Sequence, residues 1–263
     1  MRRRYFFAVT AVALGSVAPT FGCGANANTT ARDGGTIDLG GDAASPVDAG
    51  SDADKPIPDA GYPFDGGSVR ADRFVTGVVS FMPGDCAGFG AGGMPGVVEG
   101  PPIGGGTDNG SLDVVSLGNG GSIVLSFGSN AIVDGPGPDF LVFENPFDVA
   151  GGDPTSVNAE RGEVSVSDDG ATWTTFPCTA TMYPYGTCAG WHVVNSSPGD
   201  GISPVDPTAA GGDPFDLKDI GVTHARFLKI RDLSNETCAP PPNNAVKNGF
   251  DLDGVAIVNA ETP

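Results

Sequence analysis

Basic residues are scarce in this chain: its 263 residues include 13 Lys and Arg but 32 Asp and Glu, for a formal net charge of −19. Glu is scarce too: 26 of the acids are Asp and six are Glu. Proteins that bind nucleic acids carry a basic surface, so this composition argues against a nucleic-acid partner. Helical proteins favour Glu and Lys over Asp and Gly, so it also argues against a helical bundle.

Motifs of common enzymes are missing as well. The two histidines, His192 and His224, lie 32 residues apart, and there is no H-E-x-x-H motif of a zinc hydrolase. There is no G-x-S-x-G motif around a nucleophilic serine and no C-x-x-C spacing for a metal. Paired carboxylates can hydrolyse glycosides, but an Asp-rich chain supplies such pairs by chance. We therefore expect no enzymatic activity, and a secreted glycan-active hydrolase is the less favoured alternative.

Residues 1–22 are predicted to be a signal peptide. Three arginines precede an apolar stretch, Tyr5 to Gly15, which is too short to span a bilayer. The stretch 20–23, Thr-Phe-Gly-Cys, resembles the lipobox of bacterial lipoproteins. This resemblance implies a lipidated Cys23, a membrane contact through the lipid alone and a place in the outer membrane or at the cell surface. Ordinary cleavage at Ala25-Asn26-Ala27 is the alternative, and it would give a secreted protein.

Residues 23–66 are predicted to form a disordered tether that starts at the lipidated cysteine. After Cys23 the segment holds eight Asp but one Arg and one Lys, and its large apolar residues follow no period. Such a composition cannot bury enough apolar surface to offset the entropy lost on ordering. As a flexible coil the tether would hold the next domain roughly 35–40 Å from the anchor.

Residues 67–263 are predicted to form one all-β domain, because short β-branched or aromatic runs alternate with Gly, Asp, Asn and Pro. Nine strands are predicted: Arg73–Phe81, Leu112–Leu117, Ser122–Phe127, Asp139–Glu144, Glu163–Ser167, Thr172–Phe176, Trp191–Val194, Arg226–Arg231 and Leu252–Val258. The step Asp169-Gly170 predicts a hairpin between two of them. One helical turn is predicted over Phe215–Ile220, with Asp213 as its N-cap and Pro214 as its first residue.

Several of these segments resemble known families. Val164–Trp173 (VSVSDDGATW) and Ala225–Ile230 (ARFLKI) are similar to strand motifs of discoidin-like, galactose-binding-like domains. A closer resemblance, to a little-characterised family of bacterial cell-surface proteins, rests on three landmarks: Val115–Leu125 (VSLGNGGSIVL), Ile132–Asn145 (IVDGPGPDFLVFEN) and Gly249–Asp253 (GFDLD). The resemblance implies a jelly-roll β-sandwich. It implies neither an activity nor a sugar specificity, because such specificity lies in loops.

A structural calcium site is predicted from acids in these landmarks. A Gly/Pro-rich turn joins Asp134 to Asp139, Glu144 ends the next strand, and Asp251 and Asp253 alternate with apolar residues. Ca²⁺ prefers hard carboxylate oxygens, and clustered acids need counter-ions. We expect the five carboxylates to share one Ca²⁺ if the last strand lies beside this turn. The alternative is that Asp134 and Asp139 form the turn and that Asp251 caps the backbone.

Four cysteines follow Cys23, which in an exported chain predicts two disulfides with three possible connectivities. Cys178 and Cys188 flank a ten-residue excursion, so we pair them. Cys86 and Cys238 pair by elimination, and this second bond would join the two ends of the domain.

A ligand-binding surface is predicted at Tyr183, Tyr185, Trp191 and His192, close to the shorter disulfide loop. Aromatic rings are flat and apolar and stack well on sugars. We expect a binding module whose partner is a glycan, a surface polymer or an envelope protein. The alternative is that these rings only pack a long loop, as in a purely structural envelope lipoprotein.

Overall fold

The computed structural model describes residues 61–64, 67–107, 110–149, 153, 155–235, 237–238 and 249–263. The predicted signal peptide, Cys23 and all but residues 61–64 of the predicted tether lie outside these ranges. The described residues are all-β with antiparallel sheets, and their helical segments are three short 3-10 helices. None of these helices has the length and apolar character needed to cross a bilayer.

Fourteen strands are found among the described residues. They are β1 (Tyr62–Phe64), β2 (Gly67–Val69), β3 (Gly77–Met82), β4 (Val115–Ser116), β5 (Ser122–Ser126), β6 (Ile132–Val133), β7 (Phe140–Phe143), β8 (Gly162–Ser167), β9 (Thr174–Thr175), β10 (Asp213–Phe215), β11 (His224–Ala225), β12 (Phe227–Asp232), β13 (Asp251–Leu252) and β14 (Gly254–Ile257). The 3-10 helices are Ala71–Arg73, Ala91–Gly93 and Leu217–Ile220.

The largest sheet has five strands in the order β3-β5-β12-β8-β9. Its central strand β12 pairs with β5 on one side and β8 on the other, so Leu228 lies opposite both Leu125 and Val166. These side chains and Ile230 are buried, whereas Arg231 is exposed. One face of the sheet therefore supplies the main hydrophobic core, as side-chain alternation along a strand requires.

In a second sheet, β10-β7-β14, strands β7 and β14 are buried on both faces, whereas Pro214 of the edge strand β10 is exposed. Phe140 and Val142 of β7 belong to the main core, and they pack there with the side chains of the first sheet. Leu141 and Phe143 point the other way, into a second cluster that includes Val194. The segment around Val194 thus covers the outer face of this sheet, which fixes the position of the neighbouring residues 191–193.

Both predicted disulfides are confirmed. Cys86 is bonded to Cys238 across 152 residues, and Cys178 is bonded to Cys188 across 10 residues. Structural disulfides persist in oxidising compartments, so this protein belongs outside the cytoplasm.

Eight of the nine predicted strands overlap observed ones, and the prediction for Trp191–Val194 is wrong. Only Val194 forms a bridge there, with Gly211. The predicted helical turn is shorter than expected, since the 3-10 helix begins at Leu217. Its N-cap is Asp216, whose side chain accepts a hydrogen bond from the Lys218 N–H at 2.9 Å. Asp213 lies instead in β10, because burial and three hydrogen bonds hold its carboxylate beneath the adjacent loop.

Five strands were not predicted: β1, β2, β6, β10 and β11. Strand β1 lies within the stretch assigned to the tether, where it pairs with β2. Tyr62 of β1 packs edge-on against Phe74, with ring centroids 5.4 Å apart. This hairpin therefore adds to the apolar layer over the second sheet.

Candidate functional site

A pocket of about 380 Å³ opens beside the Cys178–Cys188 loop, within the size range of small-molecule sites. Its wall combines aromatic rings with polar side chains and exposed backbone. The lining residues are Thr107, Asp148, Val157, Tyr183, Trp191, His192, Val193, Asn195, Pro207, Thr208, Gly211, Gly212 and Pro214. Three of the four residues predicted to bind a ligand therefore line one pocket.

His192 is held in this wall by Asp213 from β10. Its Nδ1 lies 2.8 Å from Asp213 Oδ1. The other carboxylate oxygen accepts hydrogen bonds from the backbone N–H groups of Gly190 and Trp191, at 2.6 and 3.3 Å. Burial raises the pKa of Asp213, and the hydrogen bond from His192 opposes this effect. In the neutral imidazole, a carboxylate that accepts the Nδ1 proton leaves Nε2 as a hydrogen-bond acceptor. The His192 side chain is 41% exposed and lines the pocket.

Trp191 forms the aromatic centre of the site. Its Nε1 donates to the Cys188 carbonyl at 2.9 Å, which ties the indole to the disulfide. Tyr183 and Tyr185 pack on it edge-on, with centroid distances of 5.6 and 6.0 Å, and the His192 ring lies 3.6 Å away. The four predicted residues thus form one cluster, in which Tyr185 supports the indole from outside the pocket lining.

The five predicted calcium ligands do not form one site. Asp139 precedes the four residues of β7 and Glu144 follows them, so five residue steps along the strand, about 16 Å, separate their backbones. Among the described residues, the group of at least three acids whose carboxylate oxygens lie within 4.8 Å of one another is Asp134, Asp139 and Asp216. The prediction of a single shared site is therefore wrong, because β7 keeps its two ends apart.

Asp139 is an anchor for three protein segments. Oδ1 accepts from the Gly135 N–H and the Asn259 side chain, both at 2.8 Å, and Oδ2 accepts from the Leu217 N–H at 2.7 Å. Its side chain is fully buried. Both oxygens are already used by the protein, so this carboxylate has little capacity left for an ion.

Glu144 and Asp251 lie together at the other end of β7. Glu144 Oε1 accepts from the Asp251 N–H at 3.1 Å. Burial, and then the neighbouring Glu160 and Asp251 carboxylates, raise the pKa of Glu144 well above its usual range. Burial raises the pKa of Asp251 to about 6, and the Asp232 charge adds to this rise. Keeping both carboxylates ionised therefore costs free energy unless a hydrogen-bond donor or a cation compensates the charge.

Three carboxylates surround the Gly249–Asp251 segment. Successive backbone N–H groups of this segment donate to Glu160, at 3.1 Å, to Asp232, at 2.9 Å, and to Glu144. Sequence reasoning missed Glu160 and Asp232, which lie 89 and 18 residues from their partners. The one signal for this arrangement was the Gly-Phe-Asp-Leu-Asp landmark itself.

Asp253, the last of the five predicted calcium ligands, is held by a single backbone N–H group. Both of its carboxylate oxygens accept from the Ile103 N–H, at 2.9 and 3.1 Å. Burial raises the pKa of this carboxyl group to about 8, with a smaller contribution from the Asp113 charge. Its surroundings are those of a buried acid that retains its proton.

We expect Asp253 to make the protein less stable as pH rises. The folded chain holds this proton more tightly than the unfolded chain, so the free energy of unfolding falls between about pH 4 and pH 8. Asp253→Asn keeps an oxygen for Ile103 and removes the charge. At pH 8, denaturant unfolding in EDTA should give the variant a free energy of unfolding at least about 1.4 kcal/mol above that of the wild type. This difference corresponds to a tenfold change in proton affinity between the folded and the unfolded chain. The exposed Asp219→Asn is the control, and equal pH slopes for wild type and Asp253→Asn would contradict the prediction.

Comparisons with known proteins add little. No family model matches the chain, and no curated protein matches it. Among solved structures, a protein described as a glycoside hydrolase is similar over 54% of this chain, at 14% identity and a TM-score of 0.21. The match spans 19% of the length of that protein. A likeness of this size carries no argument about activity.

Proposed function

We propose that this protein is a non-catalytic module that binds a glycan in the pocket of Tyr183, Trp191 and His192. The observation that carries the proposal is the pair His192–Asp213, in which a buried carboxylate orients an imidazole beside an aromatic ring. A fixed hydrogen-bond acceptor next to an apolar ring face suits a sugar, which presents hydroxyl donors around an apolar ring.

The rest of the pocket supports a polyhydroxylated ligand. Thr107, Asn195 and Thr208 add neutral donors and acceptors to the lining. Among the described lining residues Asp148 is the one acid, so the wall lacks the facing pair of carboxylates that glycoside hydrolysis uses. This favours binding over catalysis.

We further propose a jelly-roll arrangement of the sandwich and display at the cell surface. Hydrogen-bonded neighbours such as β5 and β12, or β7 and β14, are far apart in sequence, which is typical of Greek-key and jelly-roll sandwiches. The lipobox-like sequence before Cys23 and the acidic segment 23–66 suit a lipid-anchored protein held on a spacer.

Carbohydrate binding can be followed through Trp191. The chain has two tryptophans, and Trp173→Phe leaves Trp191 as the reporter. We expect its fluorescence to change when galactose, glucose, N-acetylglucosamine or their oligomers are titrated, for at least one member of this panel. His192→Ala should weaken that binding by about tenfold or more, because one hydrogen bond of about 1.4 kcal/mol is lost. Tyr183→Ala should also weaken it by removing ring contacts.

His224→Ala is the matched control. His224 also bonds an aspartate through Nδ1, Asp168 at 2.7 Å, but it lies outside the pocket lining. It should bind the same sugar with unchanged affinity. If no sugar of the panel binds, or if His192→Ala and Tyr183→Ala bind as tightly as the wild type, the proposal is wrong and a structural role for the rings is favoured.

A further inference from the structure

We propose that Glu144, Asn145 and Asp251 form a calcium-binding site between the end of β7 and β13. This site is distinct from the glycan pocket and from the Asp134–Asp139–Asp216 cluster. It does not depend on the function proposed above.

The first support is the set of buried oxygens that the protein leaves without hydrogen bonds. They are Glu144 Oε2, Asn145 Oδ1 and Asp251 Oδ1. Glu144 is 2% exposed, so water has little access to it. A buried polar atom without a partner costs about 1–3 kcal/mol, and more when it is charged. All three atoms are oxygens, which a hydrogen-bond donor or a cation would satisfy.

The three side chains are neighbours. Asn145 follows Glu144 in the chain, and its side chain, like that of Ser116, is close enough to the Asp251 carboxylate to lower the pKa of that group as a hydrogen-bond donor. The Asp251 N–H in turn donates to Glu144 Oε1 at 3.1 Å. The oxygens without partners therefore belong to one connected group.

A glycine lies directly against this group. A Cβ atom at Gly110 would collide with the amide of Asn145, including Oδ1. Any larger residue at position 110 would therefore displace the amide oxygen that the proposed site uses.

The ligand chemistry favours calcium. Two carboxylates and an amide oxygen are hard donors, which Ca²⁺ takes in six to eight positions with flexible geometry. The Glu160 and Asp232 carboxylates lie next to the group and add negative potential. A cation would screen the repulsion between Glu144 and Asp251 and satisfy the orphaned oxygens. A proton shared by the two acids is the competing solution, and it requires no ion.

The two acidic clusters can be compared directly. At Asp139 both oxygens already accept hydrogen bonds from the protein, and Asp216 Oδ1 caps the following 3-10 helix. At Glu144 and Asp251 one oxygen of each carboxylate is left over. This difference assigns the ion to the second cluster.

The test uses the full chain, stripped of metal and checked by elemental analysis. With Ca²⁺ at about 100 times its dissociation constant, the thermal midpoint should rise by about 5–10 °C over that in EDTA. Isothermal titration should show saturable Ca²⁺ binding. Glu144→Gln and Asp251→Asn should weaken this binding at least about tenfold, because each removes one ligand charge. Both keep their shape, and circular dichroism in EDTA verifies that they fold.

Asp134→Asn and Asp216→Asn are the controls, and they should keep the wild-type Ca²⁺ response. The proposal is overturned if the metal-free wild type shows neither heat nor a midpoint shift, which would favour the shared proton. It is equally overturned if the response survives in Glu144→Gln and Asp251→Asn, if the two control variants lose it, or if Mg²⁺ produces it and Ca²⁺ does not.

Discussion

Replacing Cys86 and Cys238 by serine should lower the free energy of unfolding by roughly 5 kcal/mol, because this disulfide closes a loop of about 150 residues. A cross-link that spans most of a chain removes many conformations from the unfolded state. Guanidinium unfolding of the double variant against the wild type measures the loss.

The second disulfide provides a matched comparison. Cys178 and Cys188 close a loop of 10 residues, for which the same loop-entropy argument gives roughly 3 kcal/mol. The double serine variant at these positions should therefore be the more stable of the two. It should also weaken sugar binding, since Trp191 is tied to the Cys188 carbonyl. Equal losses in stability for both variants would show that loop length does not govern the effect.

The strands that sequence reasoning found are those with strong local signals. Strands β5 and β12 alternate fully buried with less buried residues along their length, and the hairpin step at Asp169-Gly170 is explicit. Strand β10 reads Asp-Pro-Phe, a pattern typical of a helix start. It is a strand only because it pairs with β7, where Pro214 lies opposite Leu141. Such a pairing depends on residues more than 70 positions away and leaves no local pattern.

The candidate site likewise has a part that the sequence predicted and a part that it did not. The aromatic cluster was predictable because Tyr183, Tyr185, Trp191 and His192 lie within ten residues of one another. Asp213, which orients His192, was predicted as a helix cap, since no sequence signal links residues 21 positions apart. The predicted metal ligands were the right kind of residue, but they were grouped without knowledge of the intervening strand. The ligand atoms that count are those left without partners after folding, and these are visible only in three dimensions.

Asp139→Asn should cost about 2–3 kcal/mol of stability, whether or not Ca²⁺ is present. Three donors converge on this carboxylate, and an amide has one acceptor oxygen. The new NH₂ group would face a donor, so the Gly135, Leu217 or Asn259 N–H would lose its partner in a buried site. The substitution thus breaks an internal anchor for the turn, the 3-10 helix and the C-terminal segment.

Asp134→Asn changes an exposed acid in the same loop and is the comparison for the buried Asp139. Asp134 is exposed, so this variant should stay within about 0.5 kcal/mol of the wild type. Denaturant unfolding of both variants, in EDTA and in excess Ca²⁺, measures the two effects. A loss at Asp139 that appears only with Ca²⁺ would identify the residue as an ion ligand instead of an anchor. A loss of the same size in both conditions would mean that the protein itself supplies all the partners of this carboxylate.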